Sequence, residues 1–147
     1  MIIRPGKKSD IPQVFDLVKE LAAYEKALNK VTNTVERLKE DGFGPNPVYE
    51  LFVAENKNKI IGIALTYYRF STWRGKVLYL EDLIVKESMR RKGIGKKLFD
   101  RIIEHAKKNK CIGLSLQVLD WNKLGINFYK KYGMEFDNEW VNCYLKL

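Results

Sequence analysis

A strongly apolar run, Leu78-Tyr79-Leu80-Glu81-Asp82-Leu83-Ile84-Val85, leads after four residues into a basic, glycine-punctuated turn, Arg90-Arg91-Lys92-Gly93-Ile94-Gly95-Lys96-Lys97. Beyond the turn, Leu98, Ile102, Ile103 and Ala106 recur at helical spacing, so the unit reads as strand, turn and helix. A helix N-terminus presents unpaired N–H groups and partial positive charge, which suits a phosphate. The glycines let backbone approach a ligand closely, and Arg90, Arg91 and Lys92 add charge beside it. The unit predicts a site for a pyrophosphate-bearing cofactor. A bare basic helix start would use the same residues, so the turn alone does not decide.

Two common phosphate loops are excluded. A triphosphate loop needs Gly, four residues, Gly, then Lys and Ser or Thr, and nothing here has that spacing. The dinucleotide fingerprint needs a third glycine three residues after the second, where this chain has Leu98. What remains is Arg90-x-x-Gly93-x-Gly95 between a strand and a helix.

The 147 residues suffice for one domain, 1–147, with a single core and no staples. The opening Met1-Ile2-Ile3-Arg4-Pro5-Gly6 is too short an apolar run for a leader, and no stretch approaches the ~20 apolar residues of a membrane span. Cys111 and Cys143 define no disulfide framework, and a lone histidine, His105, leaves zinc short of ligands. A cytoplasmic protein with no metal and no membrane segment is expected. The net charge of +9 is concentrated at Lys86–Lys97 and Lys107–Lys110, around one helix. That is a local rim suited to an anionic cofactor, and no nucleic-acid partner is expected, although charge alone does not choose.

Along the chain, Met1–Arg4 reads as a strand. Ser9/Asp10 with Pro12 opens a helix to about Tyr24, and Asn33 or Thr34 with Glu36 caps a second that ends at Asp41-Gly42. Tyr49–Glu55 and Ile60–Tyr68 form a hairpin around Asn56–Lys59, and Lys76–Val85 completes a meander. The helix Gly95–Lys110, a strand Ile112–Leu119, a helix Lys123–Tyr132 stopped by Gly133, and a last strand Trp140–Leu147 follow. The order βααβββαβαβ is α+β, a mixed, mostly antiparallel central sheet flanked by helices.

With the strand before and the helix after, Arg90-x-x-Gly93-x-Gly95 resembles the pyrophosphate loop of the GNAT acetyltransferases, Gln/Arg-x-x-Gly-x-Gly/Ala. A second motif agrees. Asn122, Gly125, Tyr129 and Gly133 stand at the four positions where these enzymes show Asn, a small residue, Tyr and Gly. Tyr79-Leu80-Glu81-Asp82, Lys19-Glu20-Leu21-Ala22-x-Tyr24-Glu25 and Asp41-Gly42-Phe43-Gly44-x-x-Pro47-x-Tyr49 resemble the spermidine/spermine N-acetyltransferase subfamily. Ser71-Thr72-Trp73 and Val118-Leu119-Asp120-Trp121-Asn122 lean toward its thialysine-acetylating branch. The order of elements matches the GNAT fold end to end.

The resemblance implies an acetyl-CoA-dependent N-acetyltransferase acting on a small aliphatic amine by direct attack in a ternary complex, and a homodimer. Cofactor contacts fall on backbone of Leu83, Ile84 and Val85, on Arg90, Arg91, Lys92, Gly93, Ile94, Gly95 and Lys96, and on Asn122 and Gly125. An alkyl ammonium with a pKa of about 10.4 must lose its proton before it attacks. Glu81, in an otherwise apolar strand, is the candidate base, directly or through water. Tyr129 is the candidate acid for the departing thiolate, since a phenol of pKa about 10 keeps its proton at neutral pH. Tyr24, Glu25, Glu81 and Asp82 would receive the cationic substrate. Three other readings stay open at this point: an acetyltransferase for a protein N-terminus or lysine, a non-catalytic CoA sensor, and a basic nucleic-acid module.

Overall fold

The computed structural model describes residues 1–147 as two compact units, Met1–Gln117 and Val118–Leu147. The first holds β1 (Ile2–Pro5), α1 (Ile11–Tyr24), α2 (Val35–Phe43), β2 (Glu50–Asn56), β3 (Lys59–Ser71), β4 (Gly75–Val85), α3 (Ile94–Lys108) and β5 (Gly113–Leu116). One five-stranded sheet runs in chain order, antiparallel throughout except for the parallel pair β4–β5. This is the expected mixed, mostly antiparallel α+β sheet.

Local chemistry explains the connections. Lys57 and Asn58 both take left-handed backbone angles, φ 50° and 63°, so a two-residue turn of matching twist joins β2 to β3. The Thr34 hydroxyl accepts from Arg37 N–H and starts α2. Asp10, expected to cap α1, does other work. Its carboxylate takes Arg4 at 2.8 and 3.0 Å and Lys7 N–H at 2.7 Å, while Arg4 also reaches Glu55 at 2.7 Å. The guanidinium holds the Asp10 carboxyl below the usual carboxylate range. A buried acid gains more from a bidentate cation than from a helix end.

The sheet is covered on both faces. Under α1 and α2 lie Ile11, Val14, Leu17, Leu38, Leu51, Val53, Ile63, Leu65 and Ile84. Against α3, whose buried positions are Ile94, Leu98, Phe99, Ile102 and Ala106, pack β2, β3 and β4. Gly62 allows that close approach: a Cβ there would stand 3.1 Å from the Leu98 side chain and 3.0 Å from the Ile84 carbonyl.

The second unit carries α4 (Lys123–Lys130), with Asn122 at its N-cap accepting from Gly125 N–H at 3.1 Å. Gly133, at φ 72°, ends the turn after it, as expected. The strand expected at Trp140–Leu147 does not form, and residues 134–147 carry no regular structure. Val141, Tyr144, Leu145 and Leu147 stand exposed. Alternation of side chains makes a segment fit to be a strand, but only a paired neighbour makes it one.

Candidate active site

The geometry of β4 sets up the site. Its first half is held on both sides: Val77–Leu80 pair with β5, and Gly75–Leu80 with β3. Beyond Leu80 the β5 ladder stops, so Leu83, Ile84 and Val85 pair with β3 on one side and with no strand on the other. Free N–H groups along such an edge are ready donors for a ligand.

The β3–β4 register breaks at the same place. Leu65 faces Asp82 and Thr66 faces Leu80, so Glu81 is the extra residue of a β-bulge. In a regular strand, neighbours point to opposite faces. Here both carboxylates turn to the face that α1 covers. Tyr67 on β3 donates its hydroxyl to Glu81 Oε2 at 3.0 Å. Asp82 feels the charges of both Glu81 and Glu25, the residue that follows α1. Burial first, then the Glu81 and Glu25 charges, push the Asp82 carboxyl up to about 7. Burial also raises Glu25. Glu25, Glu81 and Asp82, read from the sequence as substrate residues, lie near enough for the Glu25 and Glu81 charges to act on Asp82.

The basic loop follows directly. Arg90 Nε donates to the Val85 carbonyl at 3.1 Å, and its guanidinium lies 5.6 Å from the Tyr24 ring centre. Tyr24, expected on the amine side, thus sits against the loop. Arg91 and Gly93 both have left-handed backbone, φ 61° and 76°. Gly93 caps α3 without any side-chain hydrogen bond, and Lys96 is drawn to Asp100 at 2.7 Å along the helix. A Cβ on Gly93 would meet nothing within 4 Å, and one on Gly95 only Val85 Cγ2 at 3.6 Å. A Cβ-sized space beside Gly93 is empty, and the cap position of α3 has no side-chain hydrogen bond. An uncapped helix start with basic neighbours and an adjacent free strand edge fits a long anionic cofactor.

In the second unit, Asn122, Gly125 and Tyr129 belong to the start and body of α4. A Cβ on Gly125 would come within 2.8 Å of Asn122 Nδ2 and 3.1 Å of Val118 Cγ2, which explains the small residue. Tyr129 is buried, and Phe128 meets its ring edge-on at 5.2 Å. Trp73, in the Ser71-Thr72-Trp73 segment, is 86% exposed at the β3–β4 turn.

Sequence reasoning missed Tyr67 and Arg69. The signal was there in the alternation of β3, since Tyr67 and Arg69 share a face with Tyr79, opposite Tyr67 in the register. The rings of Tyr67 and Tyr79 lie 5.2 Å apart, and the Arg69 guanidinium lies 5.5 Å from the centre of the Tyr79 ring.

A profile of the acetyltransferase (GNAT) family matches residues 16–134, across the bulge, the loop and the Asn122–Tyr129 segment. The chain is 38% identical over 143 residues to the thialysine N-epsilon-acetyltransferase of Bos taurus, covering 92% of this chain and 84% of that protein. It is 35% identical over 138 residues to the human spermidine/spermine N(1)-acetyltransferase-like protein 1, covering 89% of this chain and 20% of that longer protein. A tetramutant of the BH1408 protein from Bacillus halodurans superimposes with a TM-score of 0.80 at 26% identity, over 99% of this chain and 100% of that one. The chain belongs to the GNAT acetyltransferase family, an enzyme family whose acyl donor is acetyl-CoA.

No helix is long and apolar enough to cross a membrane.

Proposed function

We propose that the chain transfers the acetyl group of acetyl-CoA to a primary amine of a small aliphatic molecule: a thialysine-like amino acid, a diamine or a polyamine. The observation that carries this reading is the bulge at Glu81. It turns two adjacent carboxylates onto one face, joined there by Glu25, at the point where β4 loses its β5 neighbour. The cation-binding surface of an otherwise basic protein is therefore local and acidic.

In this reading the β4 edge at Leu83, Ile84 and Val85 and the loop Arg90–Lys96 hold the cofactor; Asn122 and Gly125 are assigned to it by their motif positions alone. Bound there, acetyl-CoA supplies an activated acyl carbonyl. The residues of the chain do the rest. Asp82, raised by burial and by the neighbouring Glu81 and Glu25 charges, lies beside Glu81, and the two carboxylates accept the proton of the incoming ammonium. An acceptor near neutrality is well matched to that task at physiological pH. The Tyr67 hydroxyl holds Glu81 in place from β3. Tyr129 is the proton donor to the departing thiolate, a role that rests on its motif position. The chain acts as one catalytic domain, in the cytoplasm, as a homodimer; the homodimer rests on the sequence resemblance.

An amine panel tests the reading: L-thialysine, L-lysine, cadaverine, spermidine and a lysine-bearing peptide, each with acetyl-CoA, followed by free-thiol release. Turnover is expected with the small amines and not with the peptide. No amine-dependent thiol release from any of them, at neutral and alkaline pH, would overturn it.

A further inference from the structure

Resting on the amine-acetylating reading, we infer that Arg69 is the anchor for a substrate carboxylate, so that the preferred amine is an α-amino acid with a side-chain amino group. The argument begins with what Arg69 lacks. Its guanidinium makes no ion pair with any acidic side chain, although Glu81 lies on the same sheet face. It rests instead against the Tyr79 ring at 5.5 Å, and the Glu81 carboxylate is engaged by Tyr67. Tyr67 and Tyr79, with ring centres 5.2 Å apart, stand between cation and anion. The face is dipolar, with an uncommitted guanidinium at one end and the Glu81/Asp82 pair at the other.

Spacing supports a short zwitterion. Arg69 faces Val77, four residues before Glu81, ~13 Å along a strand. Its side chain reaches back over Tyr79, which leaves about two residues of rise, ~7 Å, to span. An extended amino acid with a terminal amine bridges such a gap. The guanidinium fork matches a carboxylate in a bidentate manner, and stacking on an aromatic ring holds it ready. The cofactor loop is not an alternative use for this arginine. Val85, where the loop begins, lies eight residues along β4 from Val77, ~26 Å away. A diamine or polyamine would meet a like charge at Arg69, so this residue selects against it as well as for the amino acid.

The test compares kcat/KM for L-thialysine with that for its decarboxylated diamine, in wild type, Arg69→Met and Arg69→Lys. Wild type is expected to prefer the amino acid. Arg69→Met should lower the ratio at least tenfold, with the amino acid losing and the diamine gaining. Arg69→Lys should recover part of the ratio, because the charge returns without the fork. As a check that needs no variant, the methyl ester of L-thialysine should lose as much in wild type as the acid loses in Arg69→Met. A wild-type preference for the diamine, or a ratio unchanged within twofold in Arg69→Met, would overturn the carboxylate anchor and leave amine acetylation standing. Failure of wild type to acetylate either compound would overturn both.

Discussion

The two halves of β4 share one strand and do opposite work. Val77–Leu80 are flanked by β3 and β5 and are buried, with Leu78 fully enclosed. From Glu81 to Val85 the same strand is bulged, acidic at its start, and paired on one side only. The backbone of the first half is paired on both sides, so that backbone contributes stability. The second half pairs with β3 alone and carries two adjacent carboxylates at its start. One inserted residue and one short neighbouring strand separate a core from a chemical site.

That contrast predicts which substitutions change turnover and which change folding. The largest effect is expected from Glu81→Gln, which keeps size and removes a proton acceptor. Its kcat/KM for the amine should fall by roughly 10²–10⁴, the range of acid–base groups, with CoA affinity by calorimetry and the melting temperature little changed. Leu78→Ala should do the reverse. Deleting a fully buried leucine should cost about 2–5 kcal/mol in urea unfolding, while the activity of the folded fraction stays near wild type. Equal losses of turnover in both variants, with equal losses of stability, would erase the distinction between the halves. Tyr67→Phe sharpens it further. Removing the hydroxyl that engages Glu81 loses one charge-assisted hydrogen bond of about 1.5 kcal/mol, so kcat/KM should drop by roughly tenfold.

Much of this site could be read from the chain. The apolar strand, the basic turn with Gly93 and Gly95, and the Asn122–Tyr129 spacing are local patterns, and local patterns survive without tertiary information. The grouping of Glu25, Glu81 and Asp82 was also expected. The bulge was not, because register is decided by two strands together and nothing in Tyr79–Asp82 alone announces it. For the same reason nothing in the chain sets Arg69 apart from the other 26 Lys and Arg residues, since the Tyr79 ring beside it is brought there by the β3–β4 pairing. Asp10 does stand at the N-cap of α1, but its side chain goes to Arg4 rather than to the helix, because Arg4 approaches through the fold of β1. The expected last strand failed on pairing, which sequence alternation does not contain.

The smallest structural effect concerns stability and pH. Asp82 has a folded pKa raised above the ordinary carboxyl value, so the wild type loses stability as pH rises from about 4 through about 7. Asp82→Asn removes that loss. The variant should melt higher than wild type at pH 8, and the two should converge at pH 4, as scanning calorimetry at both values would report.

The same substitution gives the most direct test of the claim that the bulged half of β4 supplies the base. The measurement is the pH profile of kcat/KM for L-thialysine between pH 5 and 10, in wild type and in Asp82→Asn. Wild type should rise through an apparent pKa of about 7, the value set by burial and by the neighbouring Glu81 and Glu25 charges. In Asp82→Asn that limb should vanish, leaving a rise governed by the substrate ammonium near 10. A limb near 7 that persists unchanged in the variant would contradict the account, since the proton would then be leaving to some other group.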